Sequence, residues 1–541
     1  EIPRKLSTID VLSIPMDFLP LGREKLGGAW PNMYWRSGQR ILKAARIVRG
    51  TPGLFAVYIG NFSCGPDSFI LKYFREEMEG KPFLHIEIDE HSADAGAVTR
   101  CEAFLDSVRQ QALQGTRLAA SGSEREAKSA ISGAVRPAAS FVKRGVKGEE
   151  LRKRTIYFPR MSDHTLAIKA AFEHCGIAAE VLPESDSESV EIGKRYVSGK
   201  ECYPYLITVG DMLKKAFSPD FMPERSVFMM PSGTGPCRFG QYNVSQRLIL
   251  KSVGLGDVPI FSPNQDAGFY EDLGIAGSEF TMKAWRGIIA YELLTKCLHE
   301  TRPYETCPGE TDALYKKYET KLYEALRSSN GALDHLLLHM PRDFEAIPRR
   351  SEKRPLIGVI GEIFVRSHRF SNENLVRKLE ALGGEVWLAP VEEWIYYVNE
   401  MSMRKALIKK DRSAIMGILL KRYFQKRVEH SYGKKFRRSL KTLHEPGTRE
   451  ILRKAAPYVH DSFEGETILS IGKAIDLIDR GSAGIVNAMP FGCMPGTIVT
   501  ALLKALSKDH GVPSISIPYD GTASSTTELQ LEAFMESILN R

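Results

Sequence analysis

The stretch GIVNAMPFGCMPGTIVTALLKALSK, Gly484–Lys508, decides the fold reading. Gly484–Met489 is an apolar run of strand length, and Thr497–Lys508 carries apolar residues at helical spacing. A Gly- and Pro-rich turn with Cys493 in it joins the two. Strand, turn and helix in alternation are the pattern of parallel α/β sheets. Working outward, the alternation continues. Strands are predicted at Phe55–Asn61, Phe83–Asp89, Thr155–Pro159, Ala179–Pro183, Ser226–Pro231, Val258–Ser262, Pro355–Phe364, Val386–Pro390 and Ser514–Pro518. Helical patterns follow at Pro66–Glu79, Asp94–Gln110, His164–His174, Val190–Val197, Tyr205–Phe217, Gln241–Val253, Asn372–Leu382 and Thr526–Leu539. Longer helical patterns run over Met282–Asp343 and Glu393–Ser439.

The 541 residues suggest several domains at ~100–200 residues each. Residues 1–113 read as an α/β domain that begins midway through its first unit. Residues 114–153, rich in Ala, Ser, Gly, Lys and Arg, read as a linker. Residues 154–350 read as a second α/β domain with a helical extension, and 351–541 as a third with a basic helical segment. The chain opens on Glu1 rather than Met, which is expected of a processed form or a piece of a longer product.

No apolar stretch reaches the ~20 residues of a membrane span, and no signal peptide opens the sequence. A cytoplasmic location is the expectation. The formal charge of +8, from 74 basic and 66 acidic residues, suits an acidic or phosphate-bearing partner but is too mild for nucleic acid. No zinc-finger, RNA-recognition or helix-turn-helix signature is present.

The eight cysteines carry the functional signal. Cys64 lies in NFSCGP, Cys237 in GTGPCRFG and Cys493 in MPFGCMPG, each between a predicted strand and a predicted helix. Cys202 lies in GKECYP, a turn leading into a helix. Such loops gather at the carboxyl edge of a parallel sheet, where α/β proteins bind ligands. Helix N-termini stabilise negative charge, so the thiols are expected to ionise readily and to suit an anionic cluster. Four thiolates delivered this way complete a four-iron site. The competing reading is four buried small hydrophobes, because no C-x-x-C pair exists anywhere. Cys175 and Cys297 sit within helical patterns and Cys307 in a loop with no strand before it; none of the three is expected to be a ligand. Cys101, in a predicted helix, is an alternative extra ligand.

The segments NFSCGPDSF, EIDEHSADAG, SGKECYP, GTGPCRFGQY, IGEIFVRSHRFSNENL and NAMPFGCMPG resemble the large proteins linked to 2-hydroxyacyl-CoA dehydratase activases. These belong with the wider family of 2-hydroxyacyl-CoA dehydratases, benzoyl-CoA reductases and double-cubane cluster proteins. The resemblance spans essentially the whole chain. It implies several stacked Rossmann- or flavodoxin-like domains with parallel sheets and added helices. It also implies an iron–sulfur cluster of the 4Fe-4S type, with a double-cubane type as the alternative. Single electrons would come from an ATP-dependent activase, for radical dehydration of an acyl-CoA or for a reduction. Carried over onto the matching motifs, Cys64, Cys202, Cys237 and Cys493 are the implied cluster ligands. A reductase acting on a non-CoA molecule, a non-catalytic electron relay and a zinc-bound structural protein are the rivals; assembly as a homo- or hetero-oligomer stays open. No P-loop is present, so ATP hydrolysis is not expected of this chain.

Three other features bear on function. His91 with Asp94 is a candidate proton-donor pair, against ordinary loop hydrogen bonding. Glu201, beside Cys202, is a candidate of the same rank. Arg404–Lys441 holds 14 Lys and Arg against only Asp411 and Glu429, so it reads either as a docking face for the activase or CoA phosphates, or as a solvated helix face.

Overall fold

The computed structural model describes residues 2–26, 30, 32–62, 64–89, 91, 94–120, 148–264, 278–328, 331–522 and 525–540. Most of the expected linker lies outside these residues. The chain divides into two compact units. The smaller comprises Glu1–Gly145, Ser198–Glu201 and Val244–Leu248, and the larger Val146–Val197, Cys202–Asn243 and Ile249–Arg541. The fold is α/β, and every described sheet is parallel.

In the smaller unit, β1 (Ala56–Asn61) pairs in parallel with β2 (Phe83–Ile88), Ala56 opposite Phe83. Helices Asp67–Met78 and Asp94–Ala120 follow them. A helix absent from the sequence reading, Arg36–Gly50, packs on Asp67–Met78. Its buried Gly38, Leu42 and Ala45 recur at helical spacing. Glu77 is fully buried here. Its carboxylate accepts from both sides of the Arg46 guanidinium at 2.8 Å and from the Trp30 indole N–H at 2.5 Å. A buried charge paired and hydrogen-bonded in this way avoids the penalty of an isolated one.

The larger unit contains two four-stranded sheets. One is built from β3 (Thr155–Phe158), β4 (Ala179–Val181), β5 (Ser226–Met229) and β6 (Ile260–Phe261), in the order β4-β3-β5-β6. The other is built from β7 (Leu356–Gly361), β8 (Glu385–Leu388), β9 (Gly484–Pro490) and β10 (Ser514–Tyr519), in the order β10-β9-β7-β8. In each, the first strand pairs with the second on one side and the third on the other. The connections therefore diverge between β3 and β5, and again between β7 and β9. A crevice opens at such a point outside the strands' carboxyl ends. β5 and β9 are buried at every position, as expected of central strands covered on both faces.

Two local differences from the expected elements matter. The run Pro355–Phe364 is not all strand. It stops at Gly361, and Glu362 caps a short helix, Ile363–Ser367. Gly361 has φ +119°, and a Cβ there would lie 2.0 Å from the Ala488 carbonyl oxygen. Only glycine lets the chain turn so close to β9. Second, helices Thr448–Ala455 and Glu466–Asp479 fill a stretch where the sequence pattern predicts no element. The second is buried along most of its length, including Lys473 and Asp476.

Candidate cysteine site at the sheet crevices

Cys202, Cys237 and Cys493 each occupy the residue that begins a helical segment: Tyr203–Ala216, the 3-10 turn Arg238–Gln241, and Met494–His510. Their backbones are alike, with φ −70°, −68° and −72° and ψ 150°, 136° and 118°. Cys237 follows β5 and Cys493 follows β9, the strands at the two points of divergence. Cys202 is placed by close helix packing. A Cβ on Gly193 would meet the Leu206 carbonyl at 2.4 Å and one on Gly210 the Ser189 carbonyl at 1.8 Å, so helix Ser187–Tyr196 lies directly against Tyr203–Ala216.

The larger unit brings these three cysteines to one place. A charge on Cys202 raises the pKa of Cys237, and one on Cys237 raises that of Cys493. The buried Arg238 guanidinium feels all three sulfurs, and its Nη2 donates to the Gly492 carbonyl at 3.2 Å, beside Cys493. Cys202 Sγ lies 2.5 Å from the Tyr242 hydroxyl. Two carboxyls complete the surroundings. Glu362, at the end of β7, accepts from Phe364 N at 3.2 Å and Val365 N at 2.8 Å. Glu466 accepts from Ile363 N at 2.9 Å.

The expected ease of ionisation does not hold. Burial pushes the Cys202, Cys237 and Cys493 thiols up, and Glu362 adds to the rise at all three. Glu466 acts on Cys237 and Cys493 in the same sense. Cys237 retains exposed surface, yet protein packed around its sulfur still raises it. Desolvation thus outweighs the favourable helix N-termini. Burial and the neighbouring Glu466 also push Glu362 up to about 8, and burial raises Glu466. In the protein alone, burial therefore favours the neutral forms of the three thiols and of Glu362, and raises Glu466, beside the Arg238 guanidinium.

Among the described residues, no group of three or more His, Cys, Asp or Glu side chains is gathered tightly enough for a single metal ion. Cys64 belongs to the smaller unit, between β1 and helix Asp67–Met78. Cys101 packs with Leu6 and Ile86 in that unit's core, which accounts for it as an apolar residue. Cys297 is buried in a helical core cluster, Cys175 packs against another, and Cys307 is exposed in a loop.

The proton-donor candidates fare differently. His91 is exposed, its backbone N–H bonds Asp89 at 3.0 Å, and the Asp94 side chain falls outside the described residues. Glu201 is a structural ion: its side chain is fully buried, pairs with Lys72, and accepts from Ser198 N and Oγ at 3.0 and 2.9 Å. Burial opposes its charge, but Lys72 prevails and holds the pKa below the usual range. Sequence reasoning missed Arg238, Tyr242, Glu362 and Glu466. The first three lie in or beside quoted motifs, but only folding reveals that they face the cysteines.

The basic segment forms most of a helical hairpin, Glu392–Lys409 and Arg412–Gly433. It is less one-sided than its sequence, because Arg422 pairs with Glu400, Lys426 with Glu429, Lys435 with Asp334 and Lys441 with Glu385. Burial also pulls Lys421 down to about 7. On the hairpin, Ile408, Leu420 and Tyr423 are 82%, 63% and 65% exposed. No described helix is long and apolar enough to cross a membrane. Neither a family model nor a curated protein matches the chain.

Proposed function

We propose that the chain is a cytoplasmic iron–sulfur protein that accepts low-potential electrons from an ATP-dependent activase for dehydratase- or reductase-type chemistry. The observation that carries this reading is the meeting of Cys202, Cys237 and Cys493, 291 positions apart at the extremes, beside Arg238, with Cys237 and Cys493 following central strands. Widely separated cysteines on helix-opening turns are a suitable source of thiolates for a 4Fe-4S cluster. Cys64 is the proposed fourth ligand, on its motif alone. The cluster would supply one-electron redox chemistry. Around it, Arg238 offsets negative charge, and Glu362, pushed up to about 8, offers an acidic proton where the charge of a reduced cluster would develop. The hairpin carrying the basic segment is the proposed docking face for the activase.

Anaerobic purification with iron and sulfide quantitation and EPR tests this. Replacing Cys202, Cys237 or Cys493 by Ser should abolish the cluster signal, and Cys64→Ser should lower it. Cys175→Ala, Cys297→Ala and Cys307→Ala should keep wild-type iron. Zinc in place of iron, or full iron retained in the Cys202, Cys237 and Cys493 variants, defeats the proposal.

A further inference from the structure

A second site lies in the larger unit, in a cavity of about 320 Å3. Its walls come from the loop after β3 (Arg160–His164), the turn after β7 (Arg366–Phe370), the segment after β8 and helix Ser278–Thr301. Six guanidinium or ammonium groups line it, against four carboxylates. Most of these cations are already committed. Arg160 and Arg369 pair with Asp163, Arg302 with Glu380 and Asp312, Arg377 with Asp312, and Lys316 with Glu319.

Arg366 differs. It is buried at 5% exposure, and its Nη1 and Nη2 donate to the Gly361 and Pro390 carbonyls at 2.9 and 3.1 Å. These backbone bonds fix the guanidinium without neutralising it, and its buried Nε has no partner. The adjacent Ser367 also lines the cavity, and its buried Oγ has no partner either. A buried donor left unmade costs about 1–3 kcal/mol, so two neighbours in one cavity point to a missing acceptor. His299, 9% exposed, lines the same space. Burial and the charges of Arg302, Arg369 and Arg377 pull it down to about 3, so it faces the cavity as a neutral imidazole.

We infer that this cavity binds a compact organic oxyanion, with a carboxylate or phosphate group seated on Arg366 and Ser367. Guanidinium matches the planar, multiple acceptors of either group. The volume lies near the lower end of the ~300–1,000 Å3 range of small-molecule sites, which suits a small acid rather than a whole CoA thioester. Arg366 also acts electrostatically on Glu362 and Glu466, the carboxyls beside the cysteines. An anion seated on Arg366 would therefore lie electrically close to them. The inference needs no cluster and stands apart from the redox proposal.

Isothermal titration of the full chain at pH 7 tests it, with inorganic phosphate, succinate and coenzyme A as separate probes. Saturable binding of phosphate, of succinate or of both is expected, and the pattern tells which oxyanion the seat prefers. Arg366→Gln should weaken that binding about tenfold or more, the effect of losing one charge-assisted contact. Should Arg366→Gln fail to fold, Ser367→Ala serves. Its hydroxyl has no protein partner, so the fold should hold while binding weakens about fivefold. Neither small probe binding, coenzyme A binding alone, or unchanged affinity in a folded Arg366→Gln or Ser367→Ala variant overturns the assignment.

Discussion

Replacing Glu445 by Gln should destabilise the larger unit by about 3–5 kcal/mol, the cost of breaking a buried ion pair from one side. Glu445 Oε1 lies 2.6 Å from Lys296 Nζ and Oε2 2.7 Å from Lys473 Nζ, and the three side chains are 8%, 13% and 2% exposed. Lys473 would keep Glu393 at 3.2 Å and Asp476 at 3.5 Å, so the expected value is nearer about 3 kcal/mol than 5. Urea unfolding followed through the fluorescence of Trp285, Trp387 and Trp394 measures it. Burial opposes the Glu445 charge, but Lys296 and Lys473 hold its pKa well below 4.5. A depressed carboxylate stabilises the fold above its unfolded pKa and loses that contribution as pH falls through the folded value. The gap between wild type and variant should therefore be full at pH 7, persist to about pH 4.5, and close only in stronger acid. Adding Lys296→Met should recover part of the loss, because the stranded ammonium is removed. A single variant within about 0.5 kcal/mol of wild type at pH 7 would refute the reasoning, since that is the range of ordinary surface changes.

Gly361→Ala should cost about 3 kcal/mol or more in the same assay, because φ +119° and a Cβ 2.0 Å from the Ala488 oxygen leave no room; a neutral result would mean that the β7 turn is not where it is described. Reversing Lys409, Lys410, Arg412 and Arg427 to Glu should slow electron delivery by a reduced activase and flatten its salt dependence without altering the cluster spectrum. Arg422 and Lys426 are left intact there, because reversing them would set a carboxylate against their buried partners Glu400 and Glu429. Wild-type rates across the salt series would make the hairpin an ordinary solvated face.

The sequence by itself determined the α/β class and the strand–turn–helix setting of Cys237 and Cys493, because apolar periodicity and Gly/Pro turns are local properties. It also separated these cysteines from Cys297, whose helical context matches its buried place in a helical core. It misjudged the strand ending at Gly361, since the stop depends on a close approach to Ala488, more than 100 positions away. Thiol ionisation was misjudged for a related reason: helix N-termini are visible in a motif, but desolvation depends on everything packed around it. Only the tertiary structure decided that Arg238, Glu362 and Glu466 face the same sulfurs. It alone, too, left Arg366 buried with backbone carbonyls rather than an ion-paired carboxylate as its hydrogen-bond partners, because a side chain's partners are set by the folding of distant segments rather than by its neighbours in the chain.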